Sequence, residues 1–201
     1  MSAAYTFVAA VVLAALASPT PDSNPDFVII PGSRVGAITS KCTLADVARA
    51  YGEANVRLKR DAGGIAVVLF PDDSLRRVEI ALSDTVNLRY PKSVMIRGSQ
   101  SVWHTADGVT LGTTVDELQK LNSKPFEFNG FGWDYGGQVV NWHGGAMSRD
   151  TAIAIRLDAL HLIDNKPYRS VMGDKKVSSS NHLARELRPY VGEIAIKLAS
   201  N

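Results

Sequence analysis

The sequence predicts an α+β fold made of two tandem units, each a short helix followed by an antiparallel meander, that together form an antiparallel sheet. Two observations predict it. The same helix-capping pattern occurs at Thr43 and at Thr114, about 71 residues apart. After each occurrence, apolar residues alternate with polar ones, or run together briefly, between clusters of turn residues. Helical spacing followed by a spacing of two is typical of a helix that packs on a sheet.

The first predicted helix begins after Thr43 and ends at Gly52. Thr43 can accept a hydrogen bond from a free N–H of the first turn, and Gly52 can adopt the left-handed conformation that ends many helices. Between them, apolar residues recur at i, i+3, i+4 and i+7, which places them on one helical face: Leu44, Val47, Ala48 and Tyr51.

The second predicted helix begins with a full capping box at residues 114–117 (TVDE). The hydroxyl of Thr114 can accept from the N–H of Glu117, and the Glu117 carboxylate can accept from the N–H at the start of the helix. We predict that Asn122 ends this helix. Both helices have only about two turns, so they need other elements to pack against.

Strands are predicted after each helix by alternating or continuous apolar residues. They lie at 56–58, 65–70 and 78–82 in the first half, and at 126–128, 138–142 and 153–157 in the second half. A strand at 93–98 bridges the halves, and a helix at 182–187 precedes a last strand at 193–198, with Pro189 separating the two. We interpret the two halves as an internal duplication.

The second capping box resembles a known helix opening. The stretch 112–118 (GTTVDEL) is similar to the Gly-x-Thr-x-x-Glu-Val/Leu pattern of small bacterial envelope proteins. Among these are the β-lactamase-inhibitor-protein family and the small lipoprotein of the outer-membrane barrel-assembly machinery. The resemblance covers residues 38–56 and 109–126, and the first copy departs from it at Lys41 and Asp46, where the pattern has Gly and Glu. It implies short helices paired with an antiparallel sheet, a unit that the inhibitor family carries twice.

Residues 1–17 are predicted to be a secretory signal peptide. The apolar run from Ala3 to Ala17 is shorter than the roughly 20 residues that span a membrane, and residues 15–17 (ALA) have the pattern that signal peptidase cleaves. We expect a mature protein that begins at Ser18, is periplasmic or extracellular, and does not insert stably in a membrane. Because the start of the segment has no Lys or Arg, an uncleaved apolar N-terminus or a buried first helix is the alternative.

The rest of the chain is divided by composition. A proline-rich run opens the linker predicted for residues 18–30. The first α+β unit is predicted at 31–98, and the second at 99–201 with its C-terminal helix and strand.

Charge and cysteine content exclude several kinds of site. Lys and Arg number 22 and Asp and Glu 20, and a net charge of +2 is too near neutrality to predict nucleic-acid binding. We interpret the basic residues at 57–60 (RLKR) as a solvated strand edge. Cys42 is the only cysteine, which excludes an intramolecular disulfide, and the four histidines lack metal-binding spacing. We predict no cofactor and no metal.

The segment 126–145 (FEFNGFGWDYGGQVVNWHGG) is the most unusual part of the sequence. It holds six aromatic side chains and six of the 16 glycines. Aromatic rings provide a large apolar area, and glycine permits close approach of another surface. This composition predicts either the aromatic core of a tight hairpin or a binding surface, and both remain open for Trp133. Phe126 and Phe128 share one strand face and are predicted to be core.

The candidate binding residues all come from this aromatic-glycine segment, because aromatic residues on loops often anchor interfaces: Phe131, Trp133, Asp134, Tyr135, Trp142 and His143. We predict an exported, non-catalytic binding or adaptor protein whose partner is another envelope protein, which it could inhibit. The alternative is a small secreted hydrolase that uses Asp134 and His143, although no Gly-x-Ser-x-Gly motif supplies a nucleophile. An exposed aromatic patch favours the first function, and a pocket that holds both Asp134 and His143 favours the second.

Overall fold

The computed structural model describes residues 26–61, 64–160 and 166–199, and within them the α+β class predicted from the sequence is confirmed. The predicted signal peptide and residues 18–25 of the predicted linker lie outside the described residues. The helices are α1 (Leu44–Tyr51), α2 (Val115–Asn122), α3 (Lys166–Val171) and α4 (His182–Glu186). The strands are β1 (Val28–Ile30), β2 (Arg34–Val35), β3 (Ile38–Thr39), β4 (Val56–Asp61), β5 (Gly64–Leu69), β6 (Val78–Asp84), β7 (Arg89–Arg97), β8 (His104–Thr105), β9 (Glu127–Asn129), β10 (Val139–Asn141), β11 (Ile153–Ala159), β12 (Lys176–Ser178) and β13 (Pro189–Lys197).

The largest sheet has six strands in the order β11-β13-β7-β6-β5-β4. Strands β4 to β7 form the predicted meander of the first half, whereas β11 and β13 come from the second half. Strand β13 pairs antiparallel with both β11 and β7, so that Ile194 lies opposite Ile155 on one side and Ile96 on the other. The two predicted units therefore share one sheet and one hydrophobic core.

The second half does not repeat the meander of the first. Strands β9, β10 and β12 form a separate three-stranded sheet, and β11 joins the six-stranded sheet instead. An isolated bridge between Gln138 and Arg156 links the two sheets. Gly136 and Gly137 explain why β10 and β11 belong to different sheets. They turn the chain just before β10, so that β10 does not form a regular ladder with β11.

Two further boundaries differ from the sequence interpretation. Residues 28–30 form β1, which pairs with β2 and with β8, so the predicted linker ends before Val28. Pro189 does not separate α4 from the last strand but is the first residue of β13, opposite Ala159. A proline is tolerated at the first position of a strand, where the loss of one N–H does not interrupt the ladder.

One face of the six-stranded sheet packs on the core and the other faces solvent. In β11 the alternation is complete: Ile153, Ile155 and Leu157 are buried, while the residues between them are exposed. Helix α2 contributes Val115 and Leu118 to the same core. This alternation is the expected pattern for a sheet with one covered face.

The predicted capping box of α2 is present, and the predicted cap at Thr43 forms a capping box with Asp46 in α1. In α2 the Thr114 hydroxyl accepts from the N–H of Glu117 at 3.3 Å, and a Glu117 carboxylate oxygen accepts from the N–H of Thr114 at 2.8 Å. The N–H of Thr114, and then its hydroxyl, donate to the Glu117 carboxylate and lower the pKa of Glu117, because these bonds stabilise its charged form. Asn122 is the last helical residue of α2, but the residue that caps the helix in the left-handed conformation, at φ 61°, is Ser123. Asn122 is buried, and its side chain donates to the carbonyl of Trp142 at 3.0 Å.

Thr114→Ala is expected to lower the free energy of unfolding by about 1 kcal/mol, because the first turn of α2 loses its side-chain acceptor. Thr114→Ser keeps the hydroxyl and is the matched control, with an expected loss of only a few tenths of a kcal/mol. Urea titration measures both. Thr113→Ala is a poor control, since the buried Thr113 hydroxyl accepts from the N–H of Thr110 at 3.0 Å. Equal midpoints for Thr114→Ala and the wild type would contradict the assigned cap.

Candidate functional site

The phenylalanines of the aromatic-glycine segment belong to the core. Phe126 and Phe128 are fully buried, as the strand parity predicts. Phe131 is also buried, at 4 % exposure, with its ring centroid 5.7 Å from that of Phe128. The prediction that Phe131 contacts a partner stays a prediction, because this mostly buried residue also lines one of the clefts described below. Its N–H donates to the carbonyl of Val171, which ties it to α3 and places its ring against the core.

Trp133 and Tyr135 lie together on a tight turn at the surface. The N–H of Gly136 donates to the carbonyl of Trp133 at 2.9 Å, which closes the turn, and the Trp133 indole N–H donates to the carbonyl of Gly130 at 2.8 Å. The two rings meet at 70° with centroids 5.4 Å apart. Trp133 is half-buried, whereas Tyr135 is 60 % exposed. The turn therefore presents an orientated aromatic pair at the surface.

Trp142 and His143 lie on a different part of the surface. Trp142 is half-buried, and its ring packs on Phe126 at a centroid distance of 5.0 Å. His143 is exposed and has a left-handed backbone at φ 50°. Its Nε2 lies 3.5 Å from a carboxylate oxygen of Glu127.

The structure does not join Asp134 to His143. Both side chains are exposed, and in the part of the chain that the structure describes no hydrogen bond or ion pair links them. The carboxylate facing His143 is that of Glu127, on strand β9. The hydrolase alternative needs a base and its orienting carboxylate within hydrogen-bond reach, and the described contacts include no such bond between Asp134 and His143.

Backbone contacts fix the aromatic-glycine segment to β11. The N–H of Leu157 donates to the carbonyl of Gly137 at 2.8 Å, and the Arg156 guanidinium donates from Nε to the carbonyl of Gly136, also at 2.8 Å. Gly137 has a positive φ of 77°, and a Cβ there would overlap the carbonyl oxygen of Leu157. Glycine is required because no other residue permits this approach.

Two adjoining clefts lie beside this attachment, and they share Ser99 and Tyr190. The first cleft, of about 910 Å³, is lined by Ser99, Gln100, Gly108, Thr110, Leu111, Gly112, Thr113, Thr114, Glu117, Lys120, Leu121, Leu160, Arg188 and Tyr190. The second cleft, of about 660 Å³, is lined by Arg97, Gly98, Ser99, Phe131, Gly132, Trp133, Gly136, Arg156, Leu157, Asp158, Tyr190, Gly192 and Glu193. Neither is lined by Asp134 or His143.

The first cleft forms where the start of α2 meets β13. The N–H of Gly112 donates to the carbonyl of Val191 at 2.9 Å, and the N–H of Val191 donates to the carbonyl of Thr113 at 2.8 Å. These bonds hold the loop before α2 against the strand. Leu121 and the 59 %-exposed Leu160 provide an apolar lining that is open to solvent. Exposed leucine in a concave site is typical of a binding pocket rather than a folding core.

Polar groups surround the second cleft. The Tyr190 hydroxyl donates to a carboxylate oxygen of Asp158 at 3.4 Å, and Arg97 Nε lies 2.6 Å from Glu193. Desolvation of the Tyr190 phenol, followed by the charge of Asp158, raises the Tyr190 pKa. Tyr190 therefore remains a neutral hydrogen-bond donor between the two clefts at physiological pH.

Residues of five separate segments build these clefts, and the sequence interpretation identified only Phe131 and Trp133 among their lining residues as candidates. Tyr190 and Arg156 carry no local signal, because their role depends on the pairing of β13 with β7 and β11. The one available signal was Leu160, an apolar residue that follows the strict alternation of β11 and falls out of phase with its buried face.

The described ranges 26–61, 64–160 and 166–199 also bear on metals and membranes. They contain no group of three or more His, Cys, Asp or Glu side chains placed to hold a metal ion. Nor does any helix in them combine the length and apolar character needed to cross a bilayer.

The fold and these clefts define an α+β protein with a concave surface at one end of its main sheet. No protein-family model, curated protein or solved structure matches the chain. The resemblance to the inhibitor family and to the barrel-assembly lipoprotein therefore stays a prediction.

Proposed function

We propose that this chain is an exported, non-catalytic binding protein of the cell envelope. Its binding surface consists of the two clefts, and an apolar side chain of a partner protein occupies the first of them. The observation that carries the proposal is the adjacency of the clefts through Tyr190, which places an open leucine-lined pocket beside the aromatic turn at Trp133.

The chemistry of the surface supports a protein partner. Apolar anchors with polar groups around them are the usual arrangement of a binding centre and its rim. Here Leu160 and Trp133 provide apolar and aromatic contact, while Lys120 and Arg188 provide charge at the margin. In this proposal the aromatic-glycine segment contributes Trp133 and Tyr135 to the binding surface. Residues of β11 and β13, which the sequence did not indicate, contribute to it as well. Export stands on the N-terminal sequence alone.

Leu160→Glu is expected to reduce capture of the partner at least about tenfold, because it places a charge in the apolar part of the first cleft. The measurement is affinity capture from the envelope fraction with the purified protein as bait, followed by titration of the captured partner. Since Leu160 is exposed, the fold should be retained.

Val86→Glu is the matched control for this test. Val86 is 88 % exposed and lines neither cleft, so the same change in charge and polarity should leave capture at the wild-type level. If both variants capture the partner as well as the wild type does, the clefts are not the binding surface.

A further inference from the structure

The free edge of β4 is a second surface with the features of a binding site. Among the residues that the structure describes, the six-stranded sheet ends at β4, which pairs there with β5 alone. The carbonyl of Asn55 accepts from the N–H of Phe70 at 2.7 Å, which fixes the residues that face β5. The direction of the backbone N–H and C=O groups alternates along a strand. The backbone groups of Arg57 and Lys59 therefore point toward β5 as well. The backbone N–H and C=O groups of Leu58 and Arg60 therefore point outward, whereas the N–H of Val56 already donates to the carbonyl of Glu53.

The side chains along this edge divide into a face with Val56, Leu58 and Arg60 and a face with the cationic Arg57 and Lys59. Leu58 lies opposite Val67 on the core side of the sheet but is 38 % exposed, because no further strand covers it. On the opposite face, Arg57 lies 3.2 Å from Asp72 and Lys59 lies 3.5 Å from Glu79. Both members of the Arg57–Asp72 pair are mostly exposed, at 61 % and 80 %, so this pair is weak.

The charge of the β4 edge indicates which kind of strand could pair with it. Residues 56–61 (VRLKRD) carry three cationic side chains and one carboxylate. If two copies of this chain paired antiparallel about Leu58, Arg57 of each would lie opposite Lys59 of the other. Like charges in directly opposed positions destabilise a strand pair. A second copy is therefore disfavoured, whereas carboxylates in the same positions would be attracted.

We propose that the β4 edge accepts an extended acidic segment of a partner protein as an added strand. The backbone of that segment bonds to Leu58 and Arg60. Its acidic side chains alternate and face Arg57 and Lys59, and the apolar side chains between them cover Leu58. Strand addition of this kind takes affinity from backbone bonds and specificity from alternate side chains. The clefts lie at the β11 end of the same sheet, so this inference does not rest on the proposed function.

The test uses the full chain and a synthetic peptide of about eight alternating Val and Glu residues, with blocked ends. Amide hydrogen exchange is measured with and without the peptide. Exchange should slow at Leu58 and Arg60, and stay unchanged at Arg57 and Lys59, whose amides already bond to β5, and at Val56, whose amide already donates to the carbonyl of Glu53. A peptide with Lys in place of Glu should bind at least about tenfold more weakly at low salt. Equal binding of both peptides, or protection elsewhere only, would overturn the proposal.

Leu58→Pro blocks the edge without breaking the β4–β5 ladder, since the N–H it removes points outward. It should lose peptide binding at least about tenfold, while Leu58→Ala keeps most of it. If Leu58→Pro does not fold, the double variant Arg57→Glu, Lys59→Glu decides, because it should reverse the preference to the Lys peptide. Retention of the Glu preference would contradict the proposal. Leu160→Glu should bind the Glu peptide like the wild type. The test of the β4 edge is therefore independent of the test of the clefts.

Discussion

Gly137→Ala is expected to destabilise the folded protein by about 3 kcal/mol or more. Two costs combine at this position. An alanine at a φ of 77° is strained by about 1 kcal/mol or more, and its Cβ would overlap the carbonyl oxygen of Leu157. Relief requires the segment to move away from β11, which breaks the bond from the Leu157 N–H to the Gly137 carbonyl. The loss is measured as the shift in free energy of unfolding by urea titration.

Gly108→Ala separates the two costs. Gly108 has a similar φ of 85°, but no heavy atom lies within 4 Å of a Cβ built there. Only the backbone strain remains, and the expected loss is about 1 kcal/mol. If the two alanine variants unfold at the same urea concentration, the close contact between Gly137 and β11 is not what fixes the aromatic-glycine segment.

The same glycine shows what the sequence could predict and what it could not. A cluster of glycines and aromatic residues indicated a close approach of the backbone to another surface, and Gly137 makes that approach. The surface is β11, however, which begins 16 residues further along the chain at Ile153. No local pattern connects these segments, because the contact depends on how β11 is placed by β13.

Elements with strong local signals were predicted, and elements that depend on distant partners were not. Helices α1 and α2 carry their own capping boxes, and β4 to β7 have turn residues between apolar strands. In contrast, β1 and β8 are three and two residues long and pair in parallel, Val28 with His104. Such short strands exist only because the partner strand is present, so composition and periodicity do not indicate them.

The prediction of the candidate site was limited for the same reason. Composition located the aromatic turn at Trp133 and Tyr135, since aromatic and glycine residues stand out in any sequence. It could not separate the buried Phe131 from these neighbours, because the ring orientation is set by contact with Phe128 and by a backbone bond to Val171. The basic residues at 57–60 were interpreted as a strand edge, and β4 is the edge strand of the six-stranded sheet.

Trp133→Ala is expected to abolish partner capture while it lowers stability by only about 1–1.5 kcal/mol. The described contacts of its ring are with its own turn, namely Tyr135 and the carbonyl of Gly130, and the side chain lines the second cleft. A half-buried ring that packs locally contributes only part of the transfer free energy of a buried one. Removal of an interface anchor, by contrast, typically costs about 2 kcal/mol or more of binding, a loss of about 30-fold in affinity.

Trp142→Ala provides the control with the opposite expectation. Trp142 packs on Phe126 and against the main core, yet it lines neither cleft. Its removal should lower the free energy of unfolding by about 3 kcal/mol, near the lower end for large aromatic deletions, and leave capture by the folded protein unchanged. Urea midpoints and capture titrations are measured on both variants. Stability losses of equal size, with capture retained in Trp133→Ala, would show that the aromatic turn supports the fold and does not contact the partner.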